Sequence, residues 1–329
     1  MMKDTLLAVL KPFGPSGCEQ PIAAAIAEMV RPYVDDMYTD ALGNLICTKK
    51  GAGKRIMLSS HMDQIGYIVM EADKEGFLRV NNIGGIHAAA APDRHIVFEN
   101  GVQGVISMDD LKDGEKPTIA KLFVDVGAET REEALAKVPL GMMGVLAFQV
   151  SDMGDRIAAP YMDDRAACAV QVEVLKALEK TDNEVVAVFS VQEEVGCRGA
   201  QVAAYAIEPD FGLAIDVTGA GDTPNCQPMP MKMGKGPCIK IKDSYSITAP
   251  VVREGLVAAA KLAGVPYQFE VLPFGGTDAG AIMTSRGGVP SGTISLTCRY
   301  VHAPIEMVSI RDMEQSVALI KAYIEKIVK

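Results

Sequence analysis

The side chains able to do chemistry in this 329-residue chain are few and grouped. Of its four histidines, His61 and His302 follow short apolar runs. Carboxylates occupy the same kind of position at Asp163-Asp164, Glu193-Glu194 and Asp216. Imidazole and carboxylate without thiolate form a ligand set for zinc, cobalt or manganese rather than calcium. Asp63, two residues beyond His61, can accept the second ring N–H and fix the tautomer. Asp163, at the mouth of a helix, is placed to bridge two cations. A pair of divalent ions would acidify a water held between them and polarise a carbonyl, which is the chemistry of hydrolysis.

Taken singly, each residue has a plainer reading. A histidine after a strand is commonly a hydrogen-bonded turn residue, and two adjacent glutamates commonly form a solvated loop. Asp163-Asp164 before an amphipathic helix is commonly an N-cap with acidic first-turn charge. Their joint occurrence at strand ends favours a metal cluster.

The elements that must position them are legible in the same stretch of sequence. Ile56–Ser60 runs into His61, Val185–Val191 into Glu193-Glu194, Phe211–Ile215 into Asp216, and Thr293–Thr297 precedes His302. These runs are short and rich in β-branched residues. Helical stretches are expected near 3–11, 18–32, 166–179, 251–263 and 310–328, and a bend at Leu42-Gly43-Asn44. Doubly buried strands alternating with helices predict an α/β sheet covered on both faces, with ligands outside the carboxyl ends of its strands. Residues 70–157 read differently, as short alternating pieces such as FLRVNNI and IAKLFVDVG between Gly, Asn and Asp turns. That pattern predicts an inserted β-barrel or sandwich. The expected division is a discontinuous catalytic domain, 1–69 plus 158–329, and an inserted domain, 70–157.

Composition narrows the partners. With 49% hydrophobic residues the chain can fill a large core, and a formal net charge of −10 disfavours nucleic acid. The opening MMKDTLLAVLKPFG has only a short apolar stretch with Asp4 before it, so neither a signal peptide nor a membrane span is expected. Seven scattered cysteines without a CxxC pair read as reduced thiols in a cytoplasmic protein.

Seven segments carry a family resemblance: SSHMDQIGYIV, APYMDDRAACAV, VQEEVGCRGA, AIDVTGAGDTP, MKMGKGPCIKI, GGTDAGAI and SGTISLTCRYVHAPIE. In order and over nearly the whole chain they resemble the glutamyl aminopeptidase and tetrahedral (TET) aminopeptidase family, co-catalytic metallopeptidases. The resemblance implies a zinc-peptidase α/β fold with an inserted PDZ-like domain and a dimer-based homo-oligomer, up to a dodecamer. It implies two divalent ions per subunit, Zn²⁺ or Co²⁺ or Mn²⁺, with His61, Asp216, Glu194 and His302 as terminal ligands and Asp163 as the bridge. Glu193 is then the general base and acid, Asp63 orients His61, and the substrate is a peptide with a free N-terminus. Gln64 departs from the family, where many relatives have glutamate, while His87 and His95 match no motif and are expected to be structural or exposed. The Gly275-Gly276-Thr277-Asp278 loop has two compatible readings, a substrate-pocket wall and a helix cap.

Three rival functions fit the same residues. A deacylase or dipeptidase could use the same metal pair. A glycosidase would need Glu193 and Glu194 to flank a sugar bond from opposite sides, roughly 5–9 Å apart. A non-catalytic metal-stabilised scaffold would have no use for the spare carboxylate of Glu193.

Overall fold

The computed structural model describes residues 1–179 and 181–329. Helices α1 (Met2–Val9) and α2 (Gln20–Val30) open the chain. Pro21 sits in the first turn of α2, where a missing N–H has no intrahelical partner to lose. Strands β1 (Asp36–Thr39) and β2 (Leu45–Lys49) pair antiparallel over the expected bend, and Gly43 takes φ +111° there. After them β3 (Arg55–His61) enters the sheet interior.

The next six strands are β4 (Gly66–Ala72), β5 (Leu78–Ile83), β6 (Arg94–Phe98), β7 (Gln103–Met108), β8 (Leu122–Asp125) and β9 (Met143–Leu146). They close into a barrel in the order β4-β5-β8-β7-β6-β9 around its own apolar core. The limits drawn from sequence at 70 and 157 fall inside β4 and inside the later strand Arg156–Ala159. The barrel also carries a helix, α3 (Arg131–Lys137), that alternation does not announce. Its signal is the capping-box spacing of Thr130 and Glu133, and the Thr130 hydroxyl accepts the Glu133 N–H at 3.2 Å.

Beyond the barrel come β10 (Ser151–Met153), β11 (Arg156–Ala159), α4 (Met162–Ala177), β12 (Glu184–Ser190), α5 (Arg198–Ile207), β13 (Phe211–Gly219) and β14 (Cys238–Lys242). The chain ends with α6 (Pro250–Ala263), β15 (Gln268–Val271), α7 (Asp278–Met283), β16 (Ser291–Cys298), β17 (Glu306–Ser309) and α8 (Ile310–Ala322). Strands β10, β11 and β17 form a small separate sheet.

The main sheet has the order β1-β2-β12-β3-β13-β16-β14-β15. The four apolar runs are its centre, β12, β3, β13 and β16, mutually parallel, so their carboxyl ends share one edge. Alternate residues feed two cores. Ile56, Leu58, Val185, Ala187 and Phe189 pack toward the helical layer that includes α1, α2, α4, α6 and α8. Met57, Val186 and Val188 pack toward α5 and α7. Burial on both faces is why these strands read as continuous apolar runs. Truncating Leu58, which is fully buried, to alanine should cost about 2–5 kcal/mol. Among the described residues no helix is long and apolar enough to cross a membrane.

Candidate metal centre

The shared edge of the sheet gathers the candidate residues. His61 ends β3, Glu193 and Glu194 follow β12, Asp216 lies within β13, and His302 follows β16. Asp163 and Asp164 come from the start of α4 but have non-helical backbone, with ψ of 106° and 31°. They do not serve as the ordinary first turn that an N-cap reading supposes, and their side chains turn into the cluster.

Asp163 is its centre. Its Oδ1 lies 3.0 Å from His61 Nε2 and its Oδ2 lies 3.3 Å from His302 Nε2. His302 Nε2 is in turn 3.4 Å from Glu194 Oε1, and His61 Nε2 is 3.9 Å from Glu193 Oε2. Donor atoms of Asp163, Glu194 and His302 all lie within 4.8 Å of one another, and so do those of His61, Asp164 and Asp216. Two compact groups of three thus adjoin across one carboxylate.

Asp164 is the residue that the sequence reading missed in this cluster. It is fully buried, its Oδ2 accepts the His61 N–H at 3.3 Å, and its Oδ1 has no hydrogen-bond partner. Its signal was the second position of Asp163-Asp164, which an N-cap reading absorbs.

Asp63 sits beneath the centre, wholly buried. Its Oδ1 is 3.4 Å from His61 Nδ1 and accepts the Glu193 N–H at 3.0 Å. Its Oδ2 accepts the Glu194 N–H at 3.2 Å and the Ser16 hydroxyl at 2.6 Å. A second carboxylate, Glu306, braces the far side by accepting the Asp163 N–H at 2.9 Å and the His302 N–H at 2.6 Å. Burial foremost raises the Glu306 pKa to about 8.

Burial also pushes Asp164, Glu193 and Asp216 well above the ordinary carboxylate range, and neighbouring carboxylates add to it. It would pull both histidines down, but their carboxylate partners outweigh it and hold them raised. A buried cluster of carboxylates must either hold protons or be compensated by positive charge, because an uncompensated buried carboxylate is costly. Glu194 Oε1 and Asp164 Oδ1 are both buried and accept no hydrogen bond. These free lone pairs beside two imidazoles fit divalent cations.

The cluster lies on the floor of a cleft of about 580 Å³. Phe274, Gly275 and Gly276 line it, while Thr277 caps α7 by accepting the Ala279 N–H at 3.3 Å, so the loop both borders the cleft and caps a helix. His87 lines it too, from the loop between β5 and β6, so the barrel contributes to the cleft; His95 is exposed on β6. That loop comes close because of glycine. A Cβ at Gly84, where φ is +73°, would stand 2.9 Å from Glu194 Oε2, and one at Gly85 would stand 2.7 Å from His302 Nδ1. Gln64 is buried away from the cluster, where its Oε1 accepts from Arg165 at 2.8 Å.

Comparison with known proteins gives a consistent picture. A profile described as M42 glutamyl aminopeptidase matches residues 43–319. A putative aminopeptidase of Acetivibrio thermocellus is 43% identical over 97% of this chain and 98% of its own. The structure of an aminopeptidase from the archaeon Desulfurococcus kamchatkensis superposes with a TM-score of 0.94 at 36% identity, covering 99% of this chain and 94% of that one. The TET1 peptidase of Pyrococcus horikoshii, which can assemble into a tetrahedron or a large octahedral shell, gives a TM-score of 0.90 at 30% identity, covering 99% of this chain and 100% of that one.

Proposed function

The chain belongs to the M42 glutamyl aminopeptidase family, a hydrolase removing N-terminal residues from peptides, and we propose that it works with two divalent cations held between His61, Asp163, Glu194, Asp216 and His302. The observation that carries this reading is the carboxylate of Asp163, with one oxygen toward His61 and the other toward His302. A bridging ligand needs that disposition. Asp164 joins the proposal as a further group beside His61 and Asp216.

When bound, the cation pair supplies Lewis acidity, polarising the scissile carbonyl and easing loss of a proton from water. The protein's own groups do the rest. Glu193 Oε2 faces the cluster, so it takes the proton of the attacking water and passes it to the leaving amine. Burial, which raises its proton affinity, suits it to hold a proton between those steps. Asp63 keeps Glu193 and Glu194 in place through their backbone N–H groups and sets the His61 ring. Peptide enters the cleft with its free amino terminus toward the acidic floor, which confines cleavage to the first residue. Zinc, cobalt and manganese all suit these ligands.

We also propose that the unit delimited from sequence as 70–157 is the self-association module of a cytoplasmic homo-oligomer, separate from the catalytic part formed by 1–69 and 158–329. The assemblies described for the TET1 peptidase support this reading. Light scattering at micromolar concentration tests it, since a mass of 35.0 kDa is that of one chain. For the activity, the test is metal analysis of the purified protein joined to a substrate panel. Aminoacyl anilides should be cleaved and N-acylated amino acids spared. Turnover of the acylated compounds alone would replace this reading with a deacylase.

A further inference from the structure

Behind the centre lies another group of potential ligands. Residues 193–197 form a tight turn in which the Glu193 carbonyl accepts the N–H groups of Gly196 and Cys197 at 2.8 and 2.9 Å. The turn brings Cys197 back over the glutamate, and its Sγ lies 3.2 Å from Glu193 Oε1. Glu193 therefore presents Oε2 to His61 and Oε1 to a thiol. Asp278, at the start of α7, completes the group: donor atoms of Glu193, Cys197 and Asp278 all lie within 4.8 Å of one another.

Asp278 supplies the observation that this is more than packing. It is 2% exposed, and its Oδ2 accepts the hydroxyls of Ser59 and Ser190, each at 2.6 Å. Its Oδ1 is buried and accepts nothing. Two serines thus orient a carboxylate that keeps one oxygen free and that lies beside a thiol and a second carboxylate. A thiolate with two carboxylates suits a borderline-soft divalent ion such as Zn²⁺ or Cd²⁺, a donor set distinct from the imidazole and carboxylate of the catalytic pair.

We propose that Cys197, Glu193 and Asp278 form a third, inhibitory cation site that captures a thiophilic divalent ion when such ions are in excess. The ion takes the place of the Cys197 thiol proton, which passes to solvent, and no electron is transferred. Its positive charge on Oε1 draws electron density from the Glu193 carboxylate. Glu193 then accepts no proton from water, and turnover stops with the catalytic pair still in place. This rests on Glu193 being the general base, whereas the site itself does not.

The test is a titration of the enzyme, already carrying its catalytic ions, with CdCl₂ and separately with ZnCl₂. Cadmium bound to thiolate gives an ultraviolet charge-transfer band that imidazole and carboxylate ligands cannot produce. The wild type should develop that band and lose ~10²–10⁴-fold in rate at saturation, as removal of a general base requires. Cys197→Ser keeps a donor to Glu193 and nearly the same volume, and should show neither the band nor the loss relative to its own activity without added metal. Cys197→Ala should behave alike, and circular dichroism verifies the fold of each. Cys18→Ser and Cys226→Ser, at the cysteines that are partly exposed, should keep both effects. Absence of the band from wild type, or its persistence in Cys197→Ser, overturns the site. A band that depends on Cys197 but leaves turnover unchanged upholds the site and overturns the role of Glu193.

Discussion

Asp63 and Glu193 are joined through the backbone: Asp63 Oδ1 accepts the Glu193 N–H at 3.0 Å while also facing His61 Nδ1. One buried carboxylate therefore orients a ligand and the group that moves the proton. Asp63→Asn keeps the shape but presents an amide where two full acceptors are needed. Partners of this kind are worth about 10–100-fold in metal affinity or activity. Chelator competition and kcat should both register a loss of that order, and unchanged values in both would refute the orienting role.

The neighbours Glu193 and Glu194 should separate cleanly. Glu193→Gln should keep its metals and its stability while kcat falls ~10²–10⁴-fold, with KM little changed. Glu194→Ala should lose metal from one site together with activity. Metal stoichiometry beside steady-state kinetics decides the matter. A Glu193→Gln protein that is metal-depleted, or that turns over normally, would show the roles of this pair to be wrongly assigned.

Removal of metal should make stability fall with rising pH. Burial foremost raises Asp164, Glu193 and Asp216, and carboxylate partners, outweighing burial, raise His61 and His302. Groups raised in the folded state contribute stability that is fully present below their unfolded pKa and lost as pH rises through the folded value. Asp63 is lowered, its burial outweighed by the bonds it accepts from His61, and so loses its contribution only in acid, below the ordinary range near about 4. The chelated protein should therefore melt at a lower temperature above about pH 6.5 than at mildly acidic pH. Added Zn²⁺ should restore more at the higher pH, because it displaces protons from its ligands. Calorimetry with and without metal measures this, and a metal-free Tm that climbs with pH across that window would contradict it.

Arg165 should be a stability residue rather than a catalytic one. It is fully buried and donates to the carbonyls of Val9, Pro12 and Gly14 and to Gln64, at 2.7, 3.3, 3.5 and 2.8 Å. Burial lowers its pKa to about 10, and the neutral Gln64 gives it no countercharge. Arg165→Met would leave the Val9 carbonyl and the Gln64 side-chain oxygen, both buried, without this donor, each costing ~1–3 kcal/mol. Urea denaturation should show a loss of several kcal/mol, with KM in the surviving folded fraction unchanged. A midpoint shifted by less than about 0.5 kcal/mol would mean that water replaces the guanidinium.

The local chemistry of the chain determined which segments became strands and where reactive side chains could emerge. Strands buried on both faces must be apolar at nearly every position, so β3, β12, β13 and β16 are visible as runs. A polar residue that follows such a run comes out toward the carboxyl ends of the strands, as Asp216 does although β13 continues to Gly219. Hence His61, Glu193, Glu194, Asp216 and His302 were readable as a potential cluster before any fold was known. What sequence could not determine was adjacency. The order β12-β3-β13-β16 arises from crossovers, and the pairing of Asp163 with both histidines depends on how α4 enters the sheet. Asp164 could not be told from a cap by its position in sequence, because capping and ligation ask for the same residue at the same place. The remaining contacts, Asp63 with two backbone N–H groups, Cys197 with Glu193, and the barrel loop against His302, are long-range or rotamer-dependent. They were settled only by tertiary packing, since period and composition carry no information about which distant atoms will meet.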